Sequence, residues 1–174
     1  MEREPVWMED IREQMRKTRF YGDVDEEREQ YKKEYLKVLE TLDPDKASVM
    51  EQYVEQLQKC EFHHIRIAYL EGMEAEKVHQ RAKRDRFYQY VMDRNDLNFV
   101  VRARISDLCY HSPEFQKKLD SFLELKTKCF LLECSLPEED RALLHTYFEA
   151  CEEFYDILYS FAAGFPKGYI LEHF

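Results

Sequence analysis

Two Glu-x-x-His pairs, Glu61/His64 and Glu76/His79, have types and spacing that could do chemistry. Three residues is just under one helical turn, so each pair projects a carboxylate and an imidazole from one helical face. Carboxylate-bridged di-iron bundles use this spacing twice, from separate helices, and complete the site with glutamates from two more. Here both pairs lie in one segment, fifteen residues apart. At 1.5 Å per residue a continuous helix separates them by about 22 Å, too far for one site. A metal-dependent helical-bundle enzyme is therefore the weakest of three functional readings, and no cofactor is implied.

Nucleophilic chemistry has less support. The chain has no Gly-x-Ser-x-Gly elbow, Gly-rich phosphate loop or P-loop lysine. Its five cysteines (Cys60, Cys109, Cys129, Cys134, Cys151) form no Cys-x-x-Cys pair. Cys129, Cys134 and the Cys109-x-His111 pair match no standard zinc spacing, so the cysteines are expected to be buried small hydrophobes. His111 is expected to be a cap or surface residue. The opening Met1-Glu2-Arg3-Glu4-Pro5 lacks the plan of a signal peptide, and no apolar run reaches the ~18 residues needed to span a bilayer. Reduced thiols in the cytoplasm and no membrane partner are the expectation.

Charge is unevenly spread. Residues 77–104 carry eight basic and three acidic residues, whereas the whole chain has 26 basic and 36 acidic, net −10. Lys77, Arg81, Arg84 and Tyr88 fall at helical spacing on one face, beside Arg86, Arg94, Arg102 and Arg104, with Phe87 and Tyr90 interleaved. Such a mixture can grip phosphates and stack bases, which makes Lys77, Arg81, Arg84, Arg86 and Tyr88 the candidate binding residues. The competing reading is internal. This basic connector joins two acidic halves, and Arg–carboxylate pairs can clamp them to it. Acidic residues also cluster at Asp23, Asp25, Glu26, Glu27 and Glu29, and at Glu138, Glu139 and Asp140. Acids at helix starts are ordinary dipole partners.

The elements that position these residues are helices. Four Gly and five Pro in 174 residues leave little turn chemistry, and aromatics at 14% can fill a sizeable core. Trp7, Ile11 and Met15 predict a short amphipathic helix over about 7–19 that docks on the body. Asp23 with Glu26 is a capping pair, opening a helix to about Leu42. Asp43-Pro44 opens a long helix that tolerates Gly72 and runs toward Arg94. Leu97, Val101, Ile105 and Leu108 mark the next helix. Ser112-Pro113 caps one to about Cys134, and Ser135-Leu136-Pro137-Glu138 caps the last.

The last helix carries a 4–3 stripe, Tyr147, Cys151, Phe154, Leu158, Phe161 and Phe165, the seam of a packed bundle helix. Shifted back by 94 residues it becomes Tyr53, Leu57, Cys60, His64, Ile67 and Glu71. His64 then sits where Leu158 sits, which predicts a histidine packed in a seam. The fold expected is a single all-α domain over 1–174. It is a helical bundle of two related helical hairpins, at 20–80 and 110–174, joined by a helical connector.

Phe161-x-x-Gly164-Phe165-x-x-Gly168-x-x-Leu171 resembles the end of a family of small uncharacterised helical bacterial proteins. That family opens with a Tyr-Gly turn, which Phe20-Tyr21-Gly22-Asp23 resembles. Tyr69-x-x-Gly72-Met73 is similar to a worn ending of a first copy, and Leu108-Cys109-Tyr110-His111 stands where a second would open. The resemblance implies the helical fold and carries no activity. Gly164 and Gly168, four residues apart, are expected to let another backbone approach.

These observations favour a non-enzymatic cytoplasmic protein-interaction or regulatory module acting by surface and charge complementarity. Acidic inhibitors encoded by phages or mobile elements are of that kind. Its partner is expected to be another protein, and the apolar stripes permit a homodimer. The first alternative is nucleic-acid binding through the basic aromatic segment 77–104.

Overall fold

A computed structural model describes residues 6–17, 22–84 and 94–164. These residues form six helices and no strand: α1 (Val6–Arg16), α2 (Gly22–Thr41), α3 (Pro44–Arg84), α4 (Arg94–Tyr110), α5 (Pro113–Glu133) and α6 (Glu138–Ala163). The all-α bundle is the expected fold class.

Local chemistry accounts for most of the boundaries. The Asp43 carboxylate accepts the Lys46 amide at 3.1 Å, ahead of the proline that starts α3. Ser112 does the same for α5, accepting from the Phe115 amide at 3.2 Å. Ser135 does not cap α6. Its hydroxyl donates to the Leu132 carbonyl at 2.6 Å and closes the end of α5, while Pro137 precedes α6 with no side-chain cap. Ser135 stands two residues ahead of Pro137, the N-cap position of α6, and its hydroxyl serves the preceding helix.

Of the expected glycine pair, Gly168 lies outside the described residues. Gly164 is the C-cap of α6, outside the helix and in extended backbone. Pro166 follows two residues on in the sequence, and Phe165 likewise lies outside the described residues. The close backbone approach belongs to Gly72. A Cβ there would collide with the Ala162 carbonyl oxygen of α6, so α3 and α6 cross at a point that a methyl group would block.

Packing departs from two self-contained hairpins. α3 packs against α4, α5 and α6, whereas α2 lies along α6. Apart from α3 and α4, consecutive helices are thus not the main partners, because the aromatic faces match across the chain. Tyr35 of α2 meets Tyr147 of α6 at 4.6 Å between ring centroids, and Tyr53 of α3 stacks on Phe122 of α5 at 5.6 Å. Phe148 joins the two clusters, edge-on to Tyr35 at 5.9 Å and to Tyr53 at 4.9 Å.

The α6 stripe is buried as its spacing predicts: Tyr147, Cys151, Phe154, Leu158 and Phe161 all lie in the core. Burying a side chain such as fully enclosed Leu144 or Leu158 contributes about 1.5–3 kcal/mol. Arg28 reaches in beside this stripe, its guanidinium 4.1 Å from the Phe154 ring centroid and 2.8 Å from the Asp25 carboxylate.

α1 docks on the body, with Met8, Ile11 and Met15 buried. Trp7 is half-buried and does not belong to that stripe. It lies at the edge of the docking face, perpendicular to Phe62 with ring centroids 6.1 Å apart. Tyr69 fixes α1 from the other side by donating to the Asp10 carboxylate.

Candidate functional site

The basic connector comes first, since the sequence points to it. Lys77 pairs with Glu74 one turn earlier on α3. Arg104 of α4 reaches back to Glu71 of α3, Nε to Oε2 2.6 Å, and Arg102 lies over the Tyr159 ring at 5.4 Å. Two of the connector's cations, Arg102 and Arg104, therefore reach other helices, and Lys77 pairs within α3. Arg81 and Arg84 fall on the last turns of α3, and Arg86 and Tyr88 lie outside the described residues.

Of the two Glu-x-x-His pairs, Glu61/His64 lies among the described side chains. His64 stands 3.8 Å from Glu61 and stacks on Tyr159 at 4.5 Å, half-buried in the seam. Among the described residues no three His, Cys, Asp or Glu side chains converge as a metal site would require. Cys60, Cys109, Cys129 and Cys151 are buried, and Cys134, just past the end of α5, is exposed. Burial pushes the Cys60 and Cys109 thiols up to about 11, which keeps them protonated at neutral pH. His111 is exposed beside Asp107 at 3.4 Å.

A different set of residues does converge. Lys59, Phe62, His63 and Arg66 share one face of α3, Glu114 and Lys118 share one face of α5, and Trp7 closes the end from α1. They line an open groove of about 610 Å³, a size that suits a small ligand or a few side chains of a partner. The elements hold it firmly. Gln56 donates to the Lys118 carbonyl at 3.1 Å and pins α5 to α3, and the His63 ring tilts against Phe115 at 5.6 Å.

Lys118 is the hub of the groove. Its ammonium donates to Glu114 Oε1 at 2.9 Å and to His63 Nδ1 at 3.1 Å, and Glu114 Oε1 is 3.6 Å from the same ring nitrogen. Because an ammonium has only donors, Nδ1 must accept, so His63 is neutral and carries its proton on Nε2. Burial, then the charge of Lys118, holds His63 below its ordinary value. The Lys118 hydrogen bond and charge hold Glu114 below the usual carboxylate range.

No family model, curated protein or solved structure matches the chain. Its own geometry is what bears on function. Three cations and a neutral imidazole face one carboxylate in a groove that also presents the only indole, on a chain of net −10. A cleft lined by one sign of charge focuses its field on whatever enters.

Sequence reasoning missed this groove for a physical reason. Lys59, His63 and Arg66 at i, i+4 and i+7 are a legible helical face, as are Glu114 and Lys118 at i and i+4. What brings the two faces together is the packing of α5 on α3, which places side chains 55 residues apart within hydrogen-bonding distance.

Proposed function

We propose that the chain is a non-enzymatic protein-interaction module of the cytoplasm, acting by surface and charge complementarity, with the α1–α3–α5 groove as its contact surface. One observation carries this reading. Lys59, Arg66 and Lys118 gather beside Trp7 and Phe62 on an otherwise acidic protein, so this is where an acidic surface with apolar side chains is attracted rather than repelled. Aromatic and arginine side chains at a partly buried site are also the residue types that carry most binding energy at protein interfaces.

Site-specific photo-crosslinking in cells producing the chain tests the proposal. A benzophenone side chain at Lys59 in the groove and one at Lys37 on α2 are compared, each with and without Arg66→Glu. The expected result is one discrete partner captured from Lys59 and not from Lys37, and lost with Arg66→Glu. Capture from both positions, or capture from Lys59 that survives the charge reversal, rejects the groove as the contact surface.

A further inference from the structure

We infer that the groove takes the carboxylates of an acidic peptide segment, with an apolar side chain of that segment against Trp7 and Phe62, and that Glu114 holds one carboxylate position until the segment displaces it. The inference rests on the proposed binding role and names the chemistry of the partner. Glu114 shows where a carboxylate belongs: its oxygen accepts from Lys118 at 2.9 Å, yet its side chain is 70% exposed and free to swing into water. An incoming carboxylate exchanges with it on Lys118, so no new charge has to be stripped of solvent at that point.

The remaining cations extend the pattern. Lys59 and Arg66 are seven residues apart on α3, about 10 Å along its axis. Arg66 is exposed and makes no ion pair among the described residues, and Lys59 holds only the exposed Glu55 at 2.6 Å. Cations strung along a line suit anions spaced along a chain, and the apolar end formed by Trp7 and Phe62 favours a peptide, which can carry an apolar side chain among its carboxylates. Trp7 and Phe62 at the α1 end then take an apolar side chain carried between the acids.

Trp7, the chain's single tryptophan, reports on the site directly. Its emission is followed during titration of the full-length protein with a short blocked peptide of glutamates around one phenylalanine. The same peptide with glutamines, inorganic phosphate and a thymidine oligonucleotide serve as the other arms. A saturable change with the glutamate peptide alone is expected, weakening with added salt. Glu114→Gln should bind about threefold tighter and Arg66→Glu about tenfold weaker, with helical circular dichroism unchanged in both. No saturable change in either the wild type or Glu114→Gln overturns the inference. So does weaker binding by Glu114→Gln, or equal or tighter binding of phosphate or the oligonucleotide. If the peptide fails while the Lys59 position still captures one partner that Arg66→Glu abolishes, the ligand chemistry is wrong and the interaction role stands.

Discussion

Lys118, Glu114 and His63 make a three-way contact in which only one arrangement of protons satisfies every group, and this gives the site a pH dependence. His63 faces Lys59, His64 and Arg66 on its own helix and Glu114 and Lys118 across the groove. Burial and the neighbouring cations lower its pKa from 6.5, so the unfolded chain takes up a proton before the folded one does. The stability this neutral imidazole contributes is present above pH 6.5 and is lost as pH falls toward the lowered folded value. Glu114, itself lowered from 4.5, loses its contribution only at more acidic pH. Chemical denaturation at about pH 7.5 and about pH 5.5 should therefore show a larger acid loss in the wild type than in His63→Gln. Equal losses would mean that His63 is solvated as in the unfolded chain. In the sequence His63 drew no notice, since the Glu-x-x-His spacing singles out its neighbour His64. Only the packing of α5 on α3 separates a histidine stacked in the seam from one wired to an ion pair.

Helix ends were legible where a side chain acts on its own amides, and illegible where it serves the preceding helix. Asp43 and Ser112 each sit three residues before the amide they accept, a purely local geometry. Ser135 lies between two helices, and the same residue type serves the preceding carbonyl instead. Ser112→Ala should accordingly cost about 1 kcal/mol in denaturant unfolding, whereas Ser135→Ala, which removes an exposed hydroxyl from a carbonyl already accepting the Ser135 amide, should cost much less. Gly72 provides a sharper test. In an isolated helix alanine is favoured over glycine by about 1 kcal/mol, so propensity alone predicts that Gly72→Ala stabilises α3. The added methyl meets a backbone oxygen, which cannot swing aside like a side chain. Forcing the helices apart at a packed crossing costs about 1–3 kcal/mol, so the variant should unfold at lower denaturant than the wild type. A more stable Gly72→Ala would show that the crossing has slack.

At the scale of the whole molecule, the aromatic stripes predicted that α3 and α6 are core helices but could not predict which short helix covers each. Any amphipathic helix offers an apolar face, and spacing along one chain carries no record of the face opposite. The exchange, α2 along α6 and α5 along α3, makes the two halves interdependent. A chain ending after α3 keeps Tyr35, Val38 and Leu39 but loses Tyr147 and Phe148, against which Tyr35 packs. A chain starting at α4 keeps Phe122 and loses Tyr53. Two self-sufficient hairpins would each melt cooperatively when produced alone. With the partners exchanged, residues 1–84 and 94–174 should each lack a cooperative thermal transition, and mixing them should restore one together with the far-ultraviolet helical signal. Phe148, which touches Tyr35 and Tyr53 at once, sets the strength of that reassembly. Phe148→Ala should remove about 3–5 kcal/mol, enough to abolish reassembly of the halves while weakening the intact chain far less visibly, because covalent connection keeps the local concentration high. Independent cooperative melting of either half would return the architecture to two hairpins and leave the α2–α6 contact as a secondary one.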